Sequence, residues 1–328
     1  MGQATIKNDS GLGITMAVWL AADGYNSGAD VAPAGELISA TTLLKPTRQF
    51  ILSQQVPVTE DSIPDVTDRI AARLGHAIHN DIEETWRNKY REAMTALGMA
   101  KGMIDSIRIN PEEVEEGTIP VYLEQRGFKE HNGVVVTGQF DEVINGELGD
   151  TKSTSVFAYL NNTNEEKYRL QGSIYRWINP ELITSDIFTI RHVFTDWQRM
   201  MLKQNPKYPA HRVIDVKYEL LPILETESWI NAKLAEIRRN IMLPQSEMIR
   251  CTEEELWRSA PQFKYYSDPA KAKLGGRSTK NFSTKQEAMT HVQKSGKGTV
   301  VDVPGKVKAC AYCPAFSICD QAQEYSHD

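Results

Sequence analysis

The sequence predicts an α/β protein: a central mixed sheet flanked by helices, with a small C-terminal subdomain in which cysteines ligate a metal. Three observations predict it. Between residues 65 and 242 the hydrophobic period switches between the 3.6 of helices and the 2 of strands, in the order α-β-β-β-α-β-β-α. Gly/Asn turns separate the strand-like runs. All four cysteines lie beyond residue 250, three of them within ten residues.

Taken in order, residues 1–64 are mixed and turn-rich, an entry segment expected to pack on the core. Within them "ELISATTLLKPTRQFIL" predicts a short helix broken near Pro46. From Asp65 to Leu97 the spacing predicts a helix. Ile70, Leu74, Ala77, Ile78, Ile82 and Trp86 fall on one face, Asp65 can cap its start and Gly98 can end it. "TIPVYLEQRGF", "GVVVTGQFDEVIN" and "ELGDTKST" predict three strands. "NEEKYRLQGSIYRWIN" returns to helical spacing and stops before Pro180. "DIFTIRHVFTDWQ" and "HRVIDVKYELLPI" predict two more strands, and "TESWINAKLAEIRRNIM" an amphipathic helix with Thr226 as its cap. The core is therefore expected over 65–244, with a basic subdomain over 245–328.

The chain has 328 residues, 41% hydrophobic and 24% charged, with net charge -6 and mean hydropathy -0.43. That composition is ordinary for a globular protein. No apolar run reaches the roughly 18 residues of a membrane helix. The N-terminus lacks the basic and apolar regions of a signal peptide, and "MGQATI" departs from the myristoylation pattern at its last position. The expected compartment is reducing cytosol. Charge is unevenly spread: residues 258–308 hold eleven Lys/Arg against three Asp/Glu, whereas 81–84 and 112–116 are acidic. Carboxylates holding metal in one region and cations holding nucleic acid in another produce such a split, as does ordinary surface charge.

The stretch "GQFDEVINGELGDTKST" (138–154) places Asp141 at the end of one strand and Asp150 and Lys152 on the next. Two carboxylates brought close repel unless a cation lies between them. Mg²⁺ or Mn²⁺ suits such oxygen ligands. Residues 150 and 152 share a strand face, so Lys152 would stand beside a ligand, able to hold a water or stabilise a phosphate. Taken alone, D-x-K also describes a solvated hairpin.

Its surroundings narrow the reading. Gly75 and His79 give G-x-x-x-H on the upstream helix. Gly138 to Asp141 gives G-x-x-D, Asp150-Thr151-Lys152 gives D-x-K, and Gln171 to Tyr175 gives Q-x-x-x-Y downstream. In this order the four motifs resemble the PD-(D/E)xK nuclease superfamily, with its restriction-endonuclease-like core. Within it the RecB-like branch of AddB nuclease domains, CRISPR-associated nucleases and phage exonucleases is the most similar. The resemblance spans about residues 70–180 and the C-terminal cysteines. It implies metal ligation by His79, Asp141 and Asp150, with the Thr151 carbonyl as a further ligand, and Lys152 as catalytic lysine. Gln171 and Tyr175 would face the DNA backbone or position Lys152, and Glu124 would act from behind the ligands or through water. His76 shares the face of His79 but lacks the motif spacing. The implied activity is that of a Mg²⁺- or Mn²⁺-dependent deoxyribonuclease, an exonuclease on single strands or duplex ends. Expected partners are DNA and a helicase or single-strand-binding protein. "ISATTLL" resembles the entry segment of phage members, which implies a phage or prophage origin and a role in recombination. No P-loop is present, so ATP is not expected in the core.

Cys251, Cys310, Cys313 and Cys319 include C-x2-C-x5-C. In a reducing compartment this pattern argues for a metal centre over disulfides. Zinc and [4Fe–4S] both accept four thiolates. Zinc ribbons usually show two C-x2-C pairs, and here there is one. The resemblance implies [4Fe–4S], with one departure: those relatives place the fourth cysteine before the core, and here none precedes Cys251. Between Cys251 and Cys310, "FKYY" and "GGRSTKNF" interleave aromatics with cations. That pattern suits a single nucleic-acid strand and equally a polar edge hairpin.

Overall fold

The structure, a computed structural model, describes residues 5–22, 32–33, 36–161 and 164–325. Of the N-terminal "MGQATI", residues 1–4 lie outside them. The chain forms two units. One comprises residues 1–44 and 58–233, the other residues 45–57 and 234–328.

The first unit begins with α1 (Ile14–Ala21), β1 (Glu36–Ser39) and α2 (Ala40–Leu43); α3 (Thr47–Ser53) belongs to the second. The short helix expected within "ELISATTLLKPTRQFIL" forms as α2 and breaks before Pro46; ahead of it Glu36–Ser39 pairs in parallel with Val134–Thr137, and Ser39 caps α2 by accepting from Thr42 N. The long predicted helix forms as α4 (Ile70–Asn88) and α5 (Tyr90–Ala96), interrupted at Lys89. Asp65 caps a short turn leading into α4 by accepting from Thr67 N, and Gly98, at φ +75°, follows the end of α5. No residue of α4 is fully buried, and Ile70 and Leu74 are exposed.

Then come α6 (Lys101–Ser106), β2 (Ile107–Ile109), β3 (Ile119–His131), β4 (Val134–Ile144) and β5 (Glu147–Thr154). α7 (Val156–Leu160), α8 (Glu165–Ile178), β6 (Ile187–Phe194), β7 (Val213–Glu219) and α9 (Ile223–Asn240) follow. Thr226 does not cap α9: the helix begins right after Pro222, and the Thr226 hydroxyl donates to the Pro222 carbonyl at 3.1 Å from within the first turn. Seven strands make one mixed sheet in the order β2-β3-β4-β5-β6-β7, with β1 also on β4. The β5–β6 pair is parallel and α8 crosses between them. Ile174 and Trp177 of α8 are fully buried, each worth roughly 1.5–3 kcal/mol of burial.

One feature of register positions the site. β1 covers β4 residues 134–137 and β5 covers 142–144, so among the described residues Gly138–Phe140 are paired on the β3 side alone and Asp141 has no ladder partner on either side. Continued one step, the β4–β5 register sets Asp141 opposite Asp150. There the strands part, and β5 continues against β6.

The second unit contains α3 and the C-terminal end of the chain. Its three-stranded antiparallel sheet has the order β10-β8-β9, from β8 (Gln262–Tyr266), β9 (Lys280–Phe282) and β10 (Thr299–Val303). α10 (Pro269–Lys273) and α11 (Lys285–Ser295) lie between the strands in sequence, and α12 (Asp320–Gln323) ends it. Ile51, Leu52, Met248, Ala315, Cys319 and Ala322 form its small core.

Candidate metal centre

Three motifs meet where β4 and β5 part. His79, near the middle of α4, directs Nε2 at the Thr151 carbonyl of β5, 2.8 Å away. Its Nδ1 lies 3.2 Å from Asp141 Oδ2 and 3.6 Å from Glu124 Oε1. One ligand atom from each of His79, Glu124 and Asp141 lies within 4.8 Å of the others. Glu83, Glu142 and Thr151 line the same small pocket. α4 passes close to β5 at Gly75, where a Cβ would stand 3.4 Å from Ser153 Oγ, at van der Waals contact.

Asp141 Oδ2 also accepts from Thr151 N at 2.7 Å, tying the parted strands together. Glu124 is held by Gln139, whose Nε2 donates to Oε2 at 2.8 Å. The backbone of Glu124 has φ +51°, a left-handed conformation that costs a non-glycine residue about 1–2 kcal/mol. The β3–β4 ladder skips Glu124 and Asp141 at that point. Strain of this kind persists where the surroundings enforce it, and it gathers at functional sites.

Asp150 is 1% exposed. Lys152 Nζ donates to its Oδ1 at 2.8 Å and lies 2.6 Å from Oδ2, off the hydrogen-bonding direction, leaving buried Oδ2 without a hydrogen bond. Burial and the charge of Asp141 raise the Asp150 carboxyl well above the usual carboxylate range, against Lys152 and His79. Asp141 and Glu124 raise His79 to about 10, against burial. Burial alone would lower Lys152, but Asp150 and Asp141 more than offset it. The cluster thus concentrates negative charge that a proton on His79 and the Lys152 ammonium only partly balance. A divalent cation fits that imbalance and the histidine–carboxylate donor set of His79, Glu124 and Asp141.

Gln171 and Tyr175 are both buried on α8, and Gln171 Nε2 donates to the Tyr175 hydroxyl at 2.9 Å. The Tyr175 ring lies where a Cβ on Gly138 would be, 2.6 Å from its Cε1, so the G-x-x-D and Q-x-x-x-Y motifs need each other's shape. Burial and the Asp150 charge raise the Tyr175 hydroxyl, against Gln171. Phenol and amide therefore stand in reach of the Asp150–Lys152 field as neutral donors. His76 is absent from the residues that line the pocket.

Two participants escaped sequence reasoning, Glu142 and His192. Glu124, expected behind the ligands or acting through water, has a carboxylate oxygen grouped with His79 and Asp141, since the register carries it opposite Asp141. Buried Glu142 forms an ion pair with Arg191 of β6. His192, 3% exposed, is the register partner of Lys152, and neither ring nitrogen has a hydrogen-bond partner. Burial and the Lys152 charge lower its basicity. Strand alternation from Lys152 could have flagged the β5–β6 face, but the pairing partner needs the fold.

In the second unit Cys251, Cys310, Cys313 and Cys319 line one cavity together with Arg48, Gln321 and apolar side chains. Gln321 fixes the Cys251 backbone on both sides, accepting from its N at 2.8 Å and donating to its carbonyl at 3.0 Å. Burial pushes the Cys251 thiol up to about 12 and also raises those of Cys310 and Cys313. Four thiols converging on one cavity form a donor set that soft-metal chemistry fits. Thiolates buried there need a cation to remain charged.

No family model and no curated protein matches the chain. Among solved structures it is similar to SSO0001, at TM-score 0.38 and 14% identity over 69% of this chain and 87% of that one. It is also similar to LHK-Exo in complex with dAMP, at TM-score 0.29 and 11% identity over 62% and 88%. A third is a phage-related exonuclease from Haemophilus somnus, at TM-score 0.29 and 12% identity over 63% and 93%.

Proposed function

We propose that the chain is a metal-dependent deoxyribonuclease of the RecB-like PD-(D/E)xK type that hydrolyses phosphodiester bonds from DNA ends. The observation that carries the reading is the meeting of three sequence motifs at one strand parting. His79, Asp141 and Glu124 gather within ligand distance of one another, and the Asp150–Lys152 pair stands in the same electrostatic field.

His79, Asp141, Glu124 and Asp150 would hold one Mg²⁺ or Mn²⁺, with the Thr151 carbonyl at the same pocket. The His79 ring is pinned through Nε2 by that carbonyl, so Nδ1 is the nitrogen presented to the carboxylates. Such a cation polarises a phosphate oxygen and makes water more acidic. Lys152 is 29% exposed and can turn its ammonium toward a phosphate oxygen or the attacking water. Gln171 and Tyr175 hold the wall beside it. Water adds to phosphorus in line, the P–O bond to the leaving nucleotide breaks, and the leaving oxygen takes a proton.

The four cysteines would hold a [4Fe–4S] cluster, with zinc as the alternative their chemistry also admits. They would close residues 252–309 into a basic loop suited to single-stranded DNA. On this reading the enzyme works in the cytoplasm, in phage recombination or DNA processing, as the motif resemblance implies. Digestion of end-labelled single- and double-stranded DNA with Mn²⁺ tests the activity. Wild type should release nucleotides, and Asp150→Ala and Lys152→Ala should release at least 100-fold less, as losing a positioned transition-state donor does. Equal release by all three, or none by wild type, would sink the reading.

A further inference from the structure

Arg48 is the most completely buried cation in the second unit among the described residues, at 2% exposure, and it comes from α3, about 200 residues before the first cysteine. Burying a guanidinium is costly unless every donor is met. Nη1 donates to the carbonyls of Gln245 at 3.1 Å, Met248 at 3.3 Å and Ile249 at 3.5 Å. Nη2 donates to Gln245 Oε1 at 3.3 Å and pairs with Asp320. That leaves Nε, whose single N–H points at Cys319 Sγ, 3.4 Å away. Arg48 also lines the cavity on which all four cysteines converge.

A carbonyl-bound guanidinium with its last donor on sulfur is more than a structural clamp requires, because a neutral thiol is a weak acceptor. A metal-bound thiolate is a strong one. Four thiolates around a dication leave two negative charges to be balanced, and Arg48 is the cation on that cavity's wall. We infer that Arg48 is a positioning residue of the cysteine centre: its Nε–H holds the Cys319 sulfur in ligand orientation, and its charge offsets that of the four thiolates. The inference rests on the reading of the cysteines as a metal centre, and its test separates the two.

The full-length chain is purified without oxygen. Iron, sulfide and zinc per chain are counted, the visible spectrum is recorded, and the rate of metal loss to EDTA is followed. Outer partners of metal ligands typically carry about 10–100-fold in metal affinity. Arg48→Met should therefore lose metal about 10–100-fold faster than wild type and shift the thiolate-to-metal absorption. Arg48→Lys, which keeps the charge without the fork of donors, should fall between. Arg250→Met, whose guanidinium pairs with exposed Glu324, should match wild type. Urea stability, measured with metal and after EDTA stripping, separates positioning from clamping. A loss much larger in the loaded protein supports the inference. An equal loss in both states, including variants that fold in neither, overturns it, as does metal release at the wild-type rate with an unmoved spectrum. A wild-type chain carrying neither iron nor zinc removes the cysteine centre itself, which is a different failure.

Discussion

The Lys152–Asp150 pair is lopsided, and the asymmetry decides what each half costs to remove. Asp150 is 1% exposed, whereas the Lys152 side chain is 29% exposed, with its ammonium turned in against the Asp150 carboxylate. In Lys152→Met the carboxylate keeps its burial and its neighbour Asp141 but loses its counter-ion. Removing one partner of a buried pair costs about 3–5 kcal/mol. Protonation sets a ceiling on that cost. For a carboxyl of ordinary value 3.8, neutralisation at pH 7 costs about 4 kcal/mol, at about 1.4 kcal/mol per unit. The sign follows from the direction of the shift. Burial and Asp141 hold the folded-state value above the unfolded one, so the native state binds the extra proton and stability falls as pH rises. At pH 5 the ceiling is about 1.6 kcal/mol. The wild-type carboxyl is already raised and so already bears part of this cost; the gap between wild type and Lys152→Met should therefore stay well below these ceilings and should narrow from pH 7 to pH 5. Asp150→Asn removes the repulsion with Asp141 and keeps an oxygen acceptor for the Lys152 ammonium, so it should cost less than Lys152→Met. Urea denaturation in EDTA, followed by tryptophan fluorescence at both pH values, measures all three proteins. An Asn variant as costly as the Met variant at pH 7 refutes the reasoning, and so does a Met gap that fails to narrow.

Two further outcomes follow from neighbouring residues. The buried ring of His192 resists protonation, so the unfolded chain binds its proton more readily and acid costs stability as pH falls below 6.5; His192→Phe should flatten that loss in urea melts between pH 7 and 5, and an unchanged slope counts against it. Glu124→Gly releases the left-handed strain and should raise metal-free stability by up to about 1 kcal/mol while weakening Mn²⁺ binding at least tenfold by calorimetry; unchanged affinity would remove Glu124 from the ligand set.

Much of the fold was legible because it is local. The cap at Asp65, the strands over 118–154 and the helix over 165–178 follow from period and turn residues within a short window. Four-residue β1 was not legible, since it shows no alternation and runs directly into α2; its partner is β4, about a hundred residues away. Thr226 misled as a cap because a β-branched hydroxyl at a helix start looks the same whether it precedes the first turn or bonds back within it. Motif spacing singled out His79, Asp141, Asp150, Lys152, Gln171 and Tyr175, but not their relations. That Glu124 faces Asp141, that His192 lies across from Lys152 and that Arg48 reaches Cys319 are facts of register and tertiary packing. Such facts leave no periodic trace in the chain.

The central claim is that one cation site made by His79, Glu124, Asp141 and Asp150 performs phosphodiester hydrolysis with Lys152 beside it. The measurement that tests it most directly pairs Mn²⁺ binding with cleavage of end-labelled DNA in the same samples. Lys152→Ala should bind Mn²⁺ about as wild type does and yet cleave at least 100-fold more slowly, while Asp141→Asn should lose both together. Cleavage by wild type that persists in EDTA, or an Asp141→Asn protein that binds Mn²⁺ and cleaves like wild type, would contradict it.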